Sequence, residues 1–255
     1  MEEKKYFDRQ IDESLLAWKN SPRHKPLLLR GARQVGKSSS VHHLARQFDN
    51  FVEINFERRP AYLEIFQGDR DAKHIVEMIK SITGKPIVPG KTLLFFDEIQ
   101  MCQEAISSLR FFWEDMPELH VIAAGSLLEF TLENLPTFGV GRIHSLFMYP
   151  LTFDEFLVAN GQQGLMQMRE MADFMQPLDT AFHDKLIESF RIYLLVGGMP
   201  ESVLAWITTH DFNRCRSIQE DIILTYEDDF GKYKKRANAD LLRITMRGIC
   251  HQIGE

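Results

Sequence analysis

The sequence has few cysteines and no long apolar run, and each absence narrows the class of protein. Its 255 residues include three cysteines, Cys102, Cys215 and Cys250, and none of them belongs to a C-x-x-C pair. An odd number of scattered cysteines argues against a disulfide framework and favours a reducing compartment. No apolar run approaches the roughly 20 residues that cross a bilayer, and no apolar segment follows the charged amino terminus. We therefore expect a cytoplasmic protein without a membrane segment.

The chain also has no excess of positive charge. Its formal net charge is −6, which argues against a protein that coats nucleic acid along its whole surface. The densest basic cluster, at 232–236, directly follows the acidic residues 227–229 and is more typical of a solvated helix face, so a local nucleic-acid contact stays open. The hydrophobic fraction of 44% and the charged fraction of 26% are ordinary for a globular protein with a core.

Between residues 26 and 149, short apolar segments alternate with segments of helical periodicity. Strands are predicted at 26–29, 51–57, 92–96, 119–124 and 143–149. Helices are predicted at 6–20, 37–48, 71–82, 103–116 and 127–135. Near-continuous apolar strands in this alternation predict an α/β fold, with a parallel five-stranded sheet and helices on both faces.

After Pro150 the pattern is helical only. Helices are predicted at 152–160, 165–176, 180–195, 200–209, 211–230 and 238–252. We therefore predict a boundary near residue 150, between an α/β core of residues 1–150 and a helical region of residues 151–255. The last helix ends without a closing element, so we expect the natural protein to continue beyond residue 255.

The segment from Gly31 to Ser38 matches the phosphate-loop pattern G-x-x-x-x-G-K-[ST] in full. It follows a predicted strand and precedes a predicted helix, as its chemistry requires. The glycines allow backbone amides to converge on phosphate oxygens, and the helix adds the positive end of its dipole. Lys37 is expected to reach the β- and γ-phosphates, and the Ser38 hydroxyl to bind Mg²⁺. The predicted nucleotide-binding residues are Gly31, Ala32, Arg33, Gln34, Val35, Gly36, Lys37, Ser38 and Ser39.

A second motif, Thr92-Leu93-Leu94-Phe95-Phe96-Asp97-Glu98, has the form of a Walker B strand. Its two acids follow a buried strand at the sheet edge where open parallel sheets bind ligands. We predict that Asp97 binds Mg²⁺ through a water and that Glu98 polarises the water that attacks ATP. The alternative is that the two acids only end the strand and cap the next helix.

These motifs predict a nucleotide-dependent function. The sequence has no N/T-K-x-D motif that would read guanine, so ATP is the expected nucleotide. One hypothesis is an Mg-dependent ATPase whose cycle moves the helical region against the core. A second is a regulatory switch that binds ATP with little turnover and acts through a partner or an appended domain. A small-molecule kinase is a third, and the acid pair and the long helical region fit it less well.

Several segments resemble one group of proteins. GARQVGKS, LLFFDEIQ, AAGSLLEF, GRIHSLFMYPLTFDEFL and YLLVGGMPESV are similar to prokaryotic AAA-type P-loop ATPases, the "AAA fourteen" group, that carry a C-terminal domain of unknown function. The resemblance runs from about residue 8 to residue 255. It implies an AAA+-like order of strands, an all-helical or winged-helix region after the sheet, and ATP and Mg²⁺ as cofactors. Members of this group are generally longer than this chain.

The resemblance also implies roles for residues outside the two motifs. Ser126, after the strand at 119–124, stands where such ATPases place a polar sensor of the γ-phosphate, and a helix N-cap is the alternative. Arg142 is a candidate catalytic finger toward a neighbouring subunit's nucleotide, and a surface residue or an internal ion pair is the alternative. A homo-oligomer and a nucleic-acid or protein partner stay open. No lid arginine can be assigned.

Two further marks of the group have simple structural interpretations. The glycines at 197 and 198 fit the end of the helix at 180–195, and Pro200 fits the start of the next helix. Gln100 either orients water or a partner near the acid pair or helps to start a helix.

Overall fold

A computed structural model describes residues 6–68, 71–126, 128, 141–173, 175, 177–230 and 238–252. The five predicted strands are present in it. They are β1 (Leu27–Arg30), β2 (Asn50–Asn55), β3 (Thr92–Asp97), β4 (His120–Ala124) and β5 (His144–Phe147). All neighbouring strands are parallel, in the order β2-β3-β4-β1-β5. The predicted α/β fold class is therefore confirmed.

Helices connect the strands and form the region after them. The α helices of the first part are α1 (Gln10–Asn20), α2 (Lys37–Ala45), α3 (Ala72–Thr83), α4 (Gln103–Asp115) and α5 (Phe153–Ala159). Those that follow are α6 (Gln163–Met171), α7 (Thr180–Val196), α8 (Pro200–Thr209), α9 (Phe212–Phe230) and α10 (Ala239–Gln252). Short 3-10 helices occur at Pro60–Phe66 and Ile99–Met101. The helix predicted at 127–135 lies outside the described residues, apart from position 128.

Helix α1 begins later than its apolar spacing predicts. The expected start was residue 6, whereas the helix begins at Gln10 with Arg9 as its N-cap. The Asp12 carboxylate accepts the Arg9 backbone N–H at 2.8 Å, and this bond satisfies one of the amides that a helix start leaves unpaired. The N-terminal bond therefore decides where the helix begins.

Helices cover both faces of the sheet. All six residues of β3 are buried, which requires cover on each side. On one face, His42 of α2 meets the ring of Phe95, and Trp18 of α1 meets the ring of His120. On the other face, Leu94 and other alternate strand residues form a hydrophobic cluster with α3 and α4. The site residues therefore follow strands that are packed on both faces.

The chain divides into two compact units, Met1–Met166 and Gln167–Glu255. The first unit extends past the boundary predicted near residue 150 because α5 belongs to it. Phe156 and Leu157 of α5 are fully buried, and Glu155 forms an ion pair with Arg9. The sequence between 150 and 166 is helical, as predicted, but it packs as part of the core.

In the second unit the described residues form no strand. Gly197 ends α7 with a φ of 71° and donates its N–H to the Tyr193 carbonyl at 2.7 Å. Pro200 then stands in the first turn of α8. Gln219 of α9 donates to the carbonyls at the end of α7. Gly197 thus ends one helix and Pro200 begins the next, in agreement with the structural interpretation of this segment.

None of the described helices combines the length and the apolar character that a bilayer span requires.

A stacked pair of histidines, one of them in β4, should make the free energy of unfolding depend on pH in the acid range. The rings of His24 and His120 stack at 3.7 Å, with Trp18 edge-on to both. The pKa of His120 is lowered to about 4, chiefly by burial and to a smaller extent by the nearby His24 and Lys19. Its Nε2 bonds to the Lys19 carbonyl at 2.9 Å, a contact that opposes this shift only in part.

We predict that stability falls between pH 6.5 and pH 4. The ordinary pKa of histidine, near 6.5, applies to the unfolded chain, so that chain takes up a proton at residue 120 before the folded protein does. The stabilisation is complete above about pH 6.5 and is lost as the pH falls toward 4, by at most about 3 kcal/mol. Urea unfolding of His120→Gln should show a flatter acid limb, whereas His74→Gln, at an exposed position, should not. An unchanged slope in His120→Gln would contradict this account.

Candidate nucleotide-binding site

The register of the parallel strands gathers the predicted site at one edge of the sheet. Ala124 of β4 pairs with Asp97 on one side and with Leu29 on the other. Gly31 and Ser126 each follow two residues after these paired positions. The phosphate loop, the acidic strand end and the predicted sensor therefore lie side by side, at the carboxyl ends of β1, β3 and β4.

The phosphate loop has a backbone that two of its glycines make accessible. Gly31 has a φ of 145°, and a β-carbon there would lie well under 3.0 Å from the Met148 carbonyl oxygen. Gly36 has a φ of 103° and is the N-cap of α2. Residues that have a β-carbon rarely adopt these backbone angles, so the loop depends on glycine at both of its ends. The loop ends at the start of a nine-residue helix, where free amides and the dipole favour an anion.

Lys37 holds its ammonium group inside this loop. Its side chain is 8% exposed, and Nζ donates to the carbonyls of Gly31 at 2.9 Å and Ala32 at 2.8 Å. These two bonds keep the positive charge beside the backbone of the loop. Of the other loop residues, Val35 is buried, Arg33 and Ser38 are half-buried, and Ala32, Gln34 and Ser39 are exposed.

Ser38 and Asp97 come together across 59 residues of sequence. The Ser38 hydroxyl donates to Asp97 Oδ1 at 3.0 Å. Asn55 Nδ2, at the end of β2, donates to the other carboxylate oxygen at 2.9 Å. A hydroxyl oxygen beside a carboxylate is a donor set that suits Mg²⁺, which takes few protein ligands and keeps several waters. The residues therefore fit the predicted metal.

Burial raises the pKa of the Asp97 carboxylate, and a bound cation would lower it. Its side chain is almost fully buried, and this burial is the largest cause of a pKa above the ordinary range. The nearby Glu98 charge raises the pKa further, and the Ser38 hydrogen bond lowers it. A bound cation would favour the ionised form.

Glu98 stands in a left-handed backbone conformation directly after the strand. Its φ is 53°, an uncommon value for a residue with a side chain. Its carboxylate receives a hydrogen bond from Gln100 Nε2 at 2.5 Å. The turn thus directs the two acids of the motif differently, with Asp97 toward Ser38 and Glu98 toward Gln100.

The two residues that the resemblance singled out differ in their surroundings. Ser126 is 2% exposed, and its hydroxyl has no hydrogen-bond partner among the described residues. Arg142 is half exposed, and its Nε lies 2.7 Å from Glu114 Oε1 of α4. The sensor and finger roles of these residues stay predictions.

Matches to protein families bear on the origin of this arrangement. The AAA_14 model, described as an AAA domain, matches residues 23–157, which is more than half of the chain. The chain belongs to the AAA_14 family. A second model, a domain of unknown function called DUF8612, matches residues 187–255. The resemblance predicted from the sequence is confirmed by both matches.

Solved structures and curated proteins add less. A structure of C. elegans PCH-2 is similar to this chain with a TM-score of 0.45 and 13% identity. The match covers 86% of this chain and 69% of that chain. No curated protein matches the sequence. Membership of the AAA_14 family identifies the chain as a protein with a nucleotide-binding domain of the AAA type.

Asn55 is a site residue of this AAA_14 domain that the sequence analysis missed. It pairs in register with Asp97 on the neighbouring strand and is the last residue of β2, two residues before the end of the strand predicted at 51–57. A polar residue near the end of a strand was the signal in the sequence that could have indicated Asn55. It became informative only with the strand order, which places β2 beside β3.

Arg9 is a second residue that was not predicted from the sequence, and it contacts the backbone of the phosphate loop. Its guanidinium donates to the Val35 carbonyl at 3.0 Å and to the Tyr149 carbonyl at 2.6 Å. Its Nε lies 3.1 Å from Glu155 Oε1, with both side chains less than a tenth exposed. One buried cation thereby joins the loop, the segment after β5 and helix α5.

The other chemically reactive side chains of the AAA_14 chain lie outside this site. Cys102 and Cys215 are buried, and burial raises the pKa of both thiols, that of Cys102 to about 11. His42 pairs with Glu53, which raises the His42 pKa. Within the described residues, no group of three or more His, Cys, Asp or Glu side chains gathers as a metal cluster.

We predict that Gly31→Ala destabilises the protein more than Gly84→Ala. Both glycines have a positive φ, and the strain from a side chain there costs about 1–2 kcal/mol. No atom lies within 4 Å of a β-carbon at residue 84, whereas one at residue 31 would collide with Met148. The collision should add roughly 1–3 kcal/mol. Urea unfolding checks this, and equal losses would argue against the close approach.

We predict that Arg9→Met lowers the stability of the first unit by roughly 3–5 kcal/mol, because the buried Glu155 keeps the backbone N–H groups of Gln10 and Thr152 but loses its cation. Adding Glu155→Gln should recover part of the loss, since a neutral amide needs no cation. Lys91→Met breaks an exposed pair with Asp49 and should change stability by no more than about 1 kcal/mol. Urea unfolding followed by tryptophan fluorescence measures all of these. Additive losses in the double variant would contradict a coupled pair.

Proposed function

We propose that the chain binds ATP together with Mg²⁺ and hydrolyses the bond between the β- and γ-phosphates. The contact between Ser38 and Asp97 supports this most strongly, because it joins the two motifs at 3.0 Å. Lys37 lies in the same loop as Ser38, and Glu98 follows Asp97. A lysine inside the loop, an oxygen donor set and a second acid thus lie along one sheet edge.

Phosphate binding would use groups that the loop already orients. The backbone amides between Gly31 and Lys37 and the start of α2 attract the phosphate oxygens. Lys37 now donates to two loop carbonyls, and it would transfer these hydrogen bonds to the β- and γ-phosphates. Because its stem is buried, the ammonium group has little freedom to move away.

Ser38 and Asp97 would hold the metal, with Asn55 fixing the carboxylate. Bound Mg²⁺ supplies charge neutralisation for the phosphates in the transition state. Asn55 contributes by donating to Oδ2 of Asp97, which leaves Oδ1 turned toward Ser38. The carboxylate therefore keeps one orientation while its partners change.

Glu98 would act as the general base. Its carboxylate accepts a proton from the water that attacks the γ-phosphorus, and the bond to the β–γ bridging oxygen breaks. The electron pair of that bond stays on the ADP oxygen, and inorganic phosphate is the second product. Ser126, buried at the same edge, would contact the γ-phosphate with its hydroxyl.

Several finer parts of the proposal come from the sequence alone. These are the movement of the second unit with nucleotide state, assembly into a homo-oligomer, and a nucleic-acid or protein partner. The Arg142 finger would require this guanidinium to exchange Glu114 for a neighbouring subunit's phosphate. A cytoplasmic location belongs to the same set of predictions.

We predict that Lys37→Ala abolishes ATP binding, because it removes the cation inside the loop. Glu98→Gln should retain binding and lower turnover by roughly 10²–10⁴-fold, the usual contribution of a general base. Calorimetry with ATP and Mg²⁺ measures binding, and phosphate release measures turnover. Lys73→Ala and Glu118→Gln change exposed residues of the same types and serve as matched controls.

Two outcomes would contradict this proposal in different ways. Undiminished turnover in Glu98→Gln would exclude Glu98 as the base. Tight binding with negligible turnover in the unmodified protein would instead favour a regulatory switch.

A further inference from the structure

Gln100 lies between the proposed base and the loop after β4. Its Nε2 donates to Glu98 Oε2. Its Oε1 is buried and has no hydrogen-bond partner among the described residues. A β-carbon on Gly125 would lie well under 3.0 Å from this Oε1. The Gln100 side chain therefore contacts both Glu98, which follows β3, and the backbone that follows β4.

The chemistry of the amide fixes the direction of this arrangement. A carboxylate only accepts hydrogen bonds, so the NH₂ end of Gln100 must face Glu98 and the oxygen must face Gly125. Glycine at residue 125 leaves room for that oxygen. Any side chain there would displace Gln100 or the loop.

Ser126 adds a second unsatisfied group next to this contact. Its hydroxyl is buried, and it likewise has no hydrogen-bond partner in the part of the chain that the structure describes. Buried polar groups are nearly always hydrogen-bonded in proteins. Two unbonded oxygens on neighbouring groups therefore indicate atoms that gain partners in another state of the site.

Glu98 depends on Gln100 for its orientation. It stands in a left-handed turn between a strand and a 3-10 helix, and its backbone N–H bonds to Asp97 Oδ1. Among the described residues, Gln100 supplies the side-chain hydrogen bond that its carboxylate receives. This bond occupies Oε2 and leaves Oε1 to accept a proton from water.

We infer that Gln100 is a positioning residue, which holds Glu98 for catalysis and is itself held by the Gly125–Ser126 loop. This inference rests on the proposed ATPase activity. When the Ser126 hydroxyl meets a γ-phosphate, a shift of its loop moves Gly125, and the contact with Gln100 transmits the shift to Glu98.

The alternative role for Gln100 is purely structural, as a residue in the 3-10 helix at Ile99–Met101. A structural residue would affect stability, ATP binding and turnover together. A positioning residue affects turnover, and only while Glu98 is present. This difference decides between the two roles.

The first experiment measures kcat and KM for Gln100→Met, which retains the length of the side chain and removes the hydrogen bond. We expect kcat to fall at least about tenfold, since small misplacements of a catalytic group are costly. KM for ATP and the midpoint of thermal unfolding should change little. In a Glu98→Gln background the same substitution should have no further effect on kcat.

The second experiment tests the contact with Gly125 through a double-mutant cycle. Gly125→Ala should lower kcat in the same way as Gln100→Met, because the added methyl group pushes the amide away from Glu98. In a Gln100→Ala background the amide is gone and the nearest remaining atom is Leu128 Cγ at 3.2 Å, so Gly125→Ala should add little further loss. Gly164→Ala has no atom within 4 Å of the new β-carbon and serves as the matched control.

The outcomes separate this inference from the proposed function. If the unmodified protein does not hydrolyse ATP, the proposed function fails. If it does, and Gln100→Met retains or exceeds the normal kcat, Gln100 is not a positioning residue. Equal losses from Gln100→Met with and without Glu98 would also overturn the inference, and this comparison decides it even if Gly125→Ala does not fold.

Discussion

The parallel pairing of β4 with both β1 and β3 is the constraint on which the site depends. In each pair the strands run in the same direction, so their carboxyl ends meet at one edge and present the phosphate loop, the acid pair and Ser126 together. A one-residue shift of register would exchange the faces of a whole strand and separate Asp97 from Ser38. The fully buried apolar residues of β3 make such a shift costly, because both faces already pack against helices. The hydrophobic core and the site chemistry therefore have the same origin.

The parts of the molecule that sequence could predict are those with a local cause. Apolar strands, helical spacing and the fixed spacing of the phosphate loop each arise within about ten residues, and the strands and most helices lie where they were predicted. Arg9 and Asn55 escaped prediction because their roles depend on partners far away in sequence. Arg9 meets Val35, Tyr149 and Glu155, and Asn55 meets Asp97 only because β2 adjoins β3. No periodicity in the chain encodes such contacts.

The predicted boundary near residue 150 illustrates the same limit. The change from alternating strands and helices to helices alone was read correctly, but a change of secondary structure is not a change of packing unit. Phe156 and Leu157 bury their side chains, and Glu155 satisfies its charge with a residue from the other end of the unit. The first unit ends at Met166, beyond α5. Helical sequence therefore belongs to both units.

The Arg9 ion pair has a mechanical consequence. The Arg9 guanidinium donates a hydrogen bond to the Val35 carbonyl of the phosphate loop. The backbone of Arg9 is the N-cap of α1. A pull on the segment ahead of α1 is thus delivered to the loop directly, without passing through the sheet. A protein bound or fused there would therefore load the phosphate loop, whereas one attached at the exposed Lys73, in the first turn of α3, would leave it unloaded.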